Sequence, residues 1–251
     1  MDIHDILDLT KQYDNRLPDF PEGFKPLEGP VTQFIDHTLL KTEATPAQIE
    51  QLCAEARKYQ FASVCINSIY VPLAHQALLG SGVKTCTVVG FPLGASPTTV
   101  KVAETEIAIG AGATEIDMVM SVGLLKGGNV QAVLDDVRTL AETCHASGAI
   151  LKVILEMGLL TPHEKILACL IAQAAGADFV KTSTGFFAGG ATVEDVDLMR
   201  RVVGPLMGVK AAGGVRSLED ARAMLQAGAT RLGSSAGVKI AHGLVVEKGE
   251  Y

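Results

Sequence analysis

A helix, a turn containing glycine and a short apolar strand recur along this chain, and that recurrence constrains the fold more than any other feature. The clearest copies are IGAGATEIDMV from residue 109, QAAGADFVKTS from 173 and LQAGATRLGSS from 225; SGVKTCTVVGF from 81, SGAILKVILEM from 147 and VGPLMGVKAAG from 203 are looser ones. Their turn glycines, Gly82, Gly112, Gly148, Gly176, Gly204 and Gly228, are spaced by 30, 36, 28, 28 and 24 residues. Helices often end in a left-handed residue, where a Cβ is penalised, and a period of about 30 residues is the length of one βα unit.

Strands are expected at 34–40, 63–67, 84–91, 115–121, 150–157, 179–184, 208–212 and 231–234. Helical patterns fall near 46–59, 70–79, 97–110, 129–147, 161–175, 192–203 and 217–227. Thr45 before Pro46, Thr161 before Pro162 and Ser217 before Leu218 supply start signals. Eight strands alternating with helices predict a (β/α)8 TIM barrel over 31–251, with an open doubly wound sheet as the alternative. Apolar residues make up 48% of the chain but aromatics only 5%, and this aliphatic supply suits parallel strands buried on both faces. Residues 1–30 stand outside the repeat: 2–12 predict a short amphipathic helix and 18–30 a Pro/Gly-rich strap, packed on the barrel or on a neighbouring subunit.

A net charge of −7 carries no basic footprint for nucleic acid. No run approaches the roughly 18 apolar residues of a membrane span, and the acidic start Met1-Asp2-Ile3-His4-Asp5 has no secretory apolar core. The five cysteines are unpatterned and read as free thiols of a reducing compartment. A cytoplasmic location is expected.

Active sites of such barrels sit at the carboxyl ends of the strands. Four expected strands carry charges in apolar surroundings: Asp117 in EIDMVM, Lys152 and Glu156 in LKVILEM, Lys181 in DFVKTSTG and Lys210 in GVKAAGG. Singly, each reads first as an ion-paired core residue or as a strand-mouth residue in water; together, on four consecutive strands, they point to a site. Lys181 and Lys210 fall on the third residue of neighbouring strands, so their amines can meet. Repulsion and burial together would lower a lysine pKa, and a neutral amine is what a Schiff-base nucleophile requires. Asp117, with Glu156, would compensate charge and move protons.

Gly213-Gly214 follow the seventh strand and Gly233-Ser234-Ser235 fall at and after the eighth, where barrels often bind phosphate through backbone N–H groups. The six histidines show no ligand spacing, so no metal is expected. Asp36 reads as a substrate contact or a structural hydrogen-bond partner, and Cys65 as a core thiol or a site residue. Lys101, Lys126 and Lys165 read as solvated charges.

The motifs FIDHTLLK (34–41), SVCIN (63–67), VVGFPLG (88–94), EIDMVMSVG (115–123), LKVILE (151–156), VKTSTGF (180–186), VKAAGGVR (209–216) and RLGSS (231–235) together resemble the deoxyribose-phosphate aldolase family. The resemblance implies Lys181 as the imine-forming lysine, Lys210 as the second lysine and Asp117 as the acid that works with it. It implies a substrate site including Asp36, Cys65, Lys152 and Thr182, and a phosphate cradle at Gly213, Gly214, Gly233, Ser234 and Ser235. The implied reaction is reversible cleavage of 2-deoxy-D-ribose 5-phosphate to D-glyceraldehyde 3-phosphate and acetaldehyde, without metal or organic cofactor, by a homo-oligomer, commonly a dimer. Some relatives have Lys after TSTG where this chain has Phe186, so that phosphate contact does not carry over. Tyr251 at the end of the tail reads as frayed, or as a phenol folded over the barrel mouth. Another lysine aldolase on the same barrel is the nearest alternative; a non-catalytic phosphate-binding barrel should lack a lysine or acid, whereas Lys181, Lys210 and Asp117 are all present, and a phosphate-binding isomerase or synthase remains open on fold alone.

Overall fold

The computed structural model describes residues 1–25, 28–187 and 189–244; the tail that ends at Tyr251 lies outside them. Strands β1 (Ile35–Leu39), β2 (Ser63–Ile66), β3 (Lys84–Val89), β4 (Glu115–Val119), β5 (Ile150–Ile154), β6 (Phe179–Lys181), β7 (Gly208–Ala212) and β8 (Arg231–Ser234) close into one parallel barrel in chain order. The doubly wound alternative is excluded, because β1 pairs with β8. Helices α1 (Ile3–Asn15), α2 (Pro46–Tyr59), α3 (Val71–Leu78), α4 (Thr98–Gly110), α5 (Val122–Lys126), α6 (Val130–Ala146), α7 (Pro162–Ala174), α8 (Val193–Val203), α9 (Leu218–Gln226) and α10 (Gly237–Ala241) complete the chain.

Local signals act as their chemistry predicts. Thr45, Thr161 and Ser217 each accept the backbone N–H three residues on, and the side chains of Gln48, Glu164 and Asp220 reach back to the cap, satisfying donors no helical carbonyl can reach. All six turn glycines have positive φ. At Gly228 a Cβ would also meet the Arg200 side chain at 2.6 Å, so this turn lies against a buried arginine as well as being left-handed.

Strands β3 to β6 are shorter than their apolar runs. The excess residues (Met120, Leu155 and Met157 among them) stay buried after leaving the sheet, so hydrophobicity outlasts strand geometry. The loops are nevertheless tied together: Leu155 N–H donates to Lys181 O and Met157 N–H to Thr182 O, each at 2.9 Å. Helices α5 and α10, each five residues long, had no periodic signal to announce them.

The N-terminal segment packs on the barrel's helices. Helix α1 starts at the Asp2 cap, buries Ile6 and lies against α7, where Asp14 pairs with His163 at 2.5 Å. The strap places Phe24 over the Arg200 guanidinium at 4.5 Å and Phe20 over that of Arg201 at 5.6 Å. Arg200 is fully buried and donates to the carbonyls of Gly204, Met207 and Gly228. Burial lowers its guanidinium to about 10. No helix among the described residues is long and apolar enough to cross a membrane.

Candidate active site

Side chains two apart on a strand share a face, and in this barrel that rule gathers the charges inside. Lys181 and Lys210 are register partners, as are Asp117 and Lys152. Lys181 Nζ donates to Asp117 Oδ2 at 2.8 Å, and Lys210 Nζ donates to the same oxygen at 2.7 Å. Lys152 Nζ donates to Oδ1 of the same carboxylate at 2.8 Å. Below this group, Lys152 lies 2.6 Å from Glu115, and Lys210 lies 2.5 Å from Asp36 Oδ2, a close ion contact without hydrogen-bond alignment. Arg231 bridges Asp36 and Glu115 at 2.7 and 3.0 Å.

Burial would push these carboxyls up, but their neighbours outweigh it. Lys152, Lys181 and Lys210 hold Asp117 well below the usual carboxylate range, and Arg231 and Lys210 hold Asp36 below it. Burial likewise opposes the charge on Lys210, yet Asp117 and Asp36 hold its ammonium above the ordinary lysine range. For Lys210 the expectation of repulsion and a lowered pKa is therefore reversed: two carboxylates reach it, and attraction exceeds repulsion plus burial. Lys152 is held high too, against burial, by Asp117, Cys86 and Glu115.

Above the charged layer opens a cavity of about 660 Å³. Of the ionised side chains in that layer, Lys181 alone lines it. Gly213, Gly214, Gly233, Ser234 and Ser235 line it as the sequence predicts. Gly213 and Gly190 approach so closely that a Cβ on Gly190 would meet Gly213 O at 2.6 Å, and Ala191 N–H donates to that carbonyl at 2.8 Å. Two backbones thus form one narrow wall with no room for side chains.

Four residues expected at the substrate site do not line this cavity. Asp36 and Lys152 are fully buried in the ion network below it. Cys65 is buried beside Cys86, whose thiol donates to Asp117 Oδ1 at 3.2 Å. Thr182 spends its hydroxyl on the backbone, donating to Ala212 O at 2.9 Å and accepting from Ala212 N–H at 3.0 Å, which staples β6 to β7. Ser234 lines the cavity, but its hydroxyl donates to Val215 O at 2.7 Å and accepts from Ala236 N–H at 3.0 Å, so it shapes the loops. Glu156 turns left-handed at φ 57° and accepts from Thr184 N–H and Oγ1.

Sequence reasoning missed Glu115 and Arg231, although Glu115 lies two residues before Asp117 and Arg231 pairs with Lys210 in register. It also missed Lys41, Arg216 and Phe187, which joins Phe186 in the cavity wall. Lys101, expected in solvent, is fully buried and pairs with Asp136 at 2.6 Å, holding Val119 O and Ser121 as well. Cys65, Cys86 and Asp117 offer metal-ligand atoms within 4.8 Å of one another. Three ammonium groups already hold that carboxylate, so added positive charge there is opposed.

Fold and site together define a (β/α)8 barrel in which one lysine of the buried ion network, Lys181, reaches an anion-compatible cavity at the carboxyl ends of the strands. The family model described as DeoC/LacD family aldolase matches residues 31–244. A deoxyribose-phosphate aldolase of Streptococcus uberis is 59% identical over 220 residues, 87% of this chain and 99% of the relative. One of Lysinibacillus sphaericus is 53% identical over 221 residues, 88% of this chain and 99% of the relative. A solved structure described as the unique tetrameric structure of deoxyribose phosphate aldolase from Aeropyrum pernix superposes with TM-score 0.81 at 34% identity, covering 96% of this chain and 97% of that one. The chain belongs to the DeoC/LacD aldolase family, and it is an aldolase, a carbon–carbon lyase.

Proposed function

We propose that this aldolase reversibly cleaves 2-deoxy-D-ribose 5-phosphate to D-glyceraldehyde 3-phosphate and acetaldehyde through a Schiff base on Lys181. The observation that carries the reading is the position of Lys181: hydrogen-bonded to Asp117 below, open to the cavity above. The cavity lining includes Lys41, Lys181 and Arg216 and no carboxylate, within a chain of net charge −7, which favours a phosphorylated substrate.

The ion network pairs four cations (Lys152, Lys181, Lys210 and the partly exposed Arg231) with three carboxylates (Asp36, Glu115, Asp117). Converting one amine to the neutral nucleophile therefore leaves the set balanced. Lys181, the member at the cavity, is the one a carbonyl can reach.

In cleavage, Lys181 Nζ adds to the C1 aldehyde of the open-chain sugar and the carbinolamine loses water, giving an iminium. The C3 hydroxyl gives up its proton to a solvent water in the cavity, which later supplies one to the enamine carbon; the C2–C3 bond breaks, and its electron pair passes into the iminium as an enamine. Glyceraldehyde 3-phosphate leaves; protonation of the enamine carbon and hydrolysis free acetaldehyde and Lys181. Lys210 and Asp117, both within hydrogen-bond range of one another below the nitrogen, supply and receive the protons of carbinolamine formation and loss. Backbone N–H groups around Gly213-Gly214 and Ser235 would hold the phosphate. Conversion of 2-deoxyribose 5-phosphate to the two stated aldehydes in equal amounts tests the proposal; cleavage of a ketose phosphate instead would reassign the donor. We also propose a cytoplasmic homo-oligomer, most simply a dimer, which mass determination in solution tests.

A further inference from the structure

We propose that Lys41 is a specificity-determining residue that selects phosphorylated over neutral acceptor aldehydes; this rests on the reaction proposed above. Lys41 lies just past the end of β1, and β1 is paired with β8, with His37 in register with Ser234. Adjacent strands lie about 4.8 Å apart, so the loop holding Lys41 borders the loop holding Ser235 on the same rim. Both line the cavity, together with Gly213 and Gly214.

The backbone at Lys41 is anchored while its side chain is not. The Lys41 carbonyl accepts from Ala44 N–H at 3.2 Å and from the Asn67 side chain at 3.3 Å, and Tyr70 donates to the carbonyl of Ala44. Its half-buried ammonium forms no ion pair or hydrogen bond with any described residue. A cavity wall with an anchored loop, an unengaged ammonium and no carboxylate suits a dianion. Backbone N–H groups from the loops after β7 and β8 would approach a phosphate from one side, and Lys41 would close the seat from the loop after β1. A flexible point charge adds affinity for any phosphate without imposing planar geometry. Lys41 touches the remote end of the substrate, so it acts on binding and leaves bond breaking to Lys181.

The test is condensation of acetaldehyde with D-glyceraldehyde 3-phosphate and with unphosphorylated D-glyceraldehyde, using wild type, Lys41→Gln and Lys41→Arg. The glutamine variant is expected to raise KM for the phosphorylated acceptor about tenfold with kcat unchanged. Its kinetics with D-glyceraldehyde should match wild type, and arginine should restore most of the loss. The inhibition constant of inorganic phosphate should rise by a similar factor and lose part of its dependence on salt. Retention of the full phosphate preference by Lys41→Gln would overturn the assignment of Lys41 while leaving the proposed reaction intact. A wild-type enzyme indifferent to the acceptor's phosphate would instead overturn the phosphate reading itself, and the role of Lys41 with it.

Discussion

Lys181 and Lys210 stand in register on β6 and β7, and their ammonium groups meet on one oxygen of Asp117, at 2.8 and 2.7 Å. The carboxylate is therefore the hub of the site: it separates two cations that would otherwise repel, and its other oxygen holds Lys152. Lys181 is linked through this hub to charges that do not line the cavity.

Asp117→Asn keeps the shape of the hub and removes its charge. Lys152, Lys181 and Lys210 are then left buried with too few counter-charges. The variant is expected to lose about 3–5 kcal/mol of stability and roughly 10²- to 10⁴-fold in kcat. Urea unfolding and steady-state kinetics check both numbers, and a variant with native kcat would remove Asp117 from the proton path.

Gly233→Ala probes the packing that aims Lys210. A Cβ there would meet Ala212 Cβ at 2.9 Å and Lys210 Cε at 3.2 Å. The expected result is a modest overpacking cost of about 1–3 kcal/mol with a larger fall in kcat than in substrate affinity, read from kcat and KM together.

Lys101→Met provides the contrast. Lys101 pairs with Asp136 outside the barrel interior, between α4 and α6, so its loss strands a buried carboxylate away from the cavity. Stability should drop by about 3–5 kcal/mol while the folded variant keeps kcat within about threefold of wild type. A collapse of kcat at full folding would tie this network to the site.

Stability should depend on pH in a predictable direction. Asp36 and Asp117 titrate below the usual carboxylate range in the folded chain. Their contribution is present above the unfolded value near 4 and is lost as acid titrates the folded carboxyls. Lys152 and Lys210 are held above the ordinary range, so their contribution is complete below about 10.4 and is lost as pH rises beyond it. Urea midpoints should therefore form a plateau from about pH 5 to 9 and fall below about pH 4; a midpoint that rises on acidification would contradict the ion network.

Much of this arrangement is legible from residue order alone. The turn glycines mark the βα period, and Lys181 and Lys210, each third in its strand, come out in register as counted. Lys101 is not legible, because a lysine on an amphipathic helix looks solvated when its partner, Asp136, lies 35 residues away. Glu115 and Arg231 open their strands, where charge ordinarily marks a wet edge. Hydroxyl partners are not legible either: backbone carbonyls of neighbouring loops and strands accept from Thr182 and Ser234. Motif spacing locates such side chains without revealing what they bond.

The most direct test of the central claim is borohydride reduction in the presence of acetaldehyde, followed by intact mass and peptide mapping, with Lys181→Ala as control. The account predicts a single ethyl adduct on Lys181, absent from the control. An adduct on Lys210 would reverse the lysine assignment, and no adduct under turnover conditions would contradict the Schiff-base chemistry altogether.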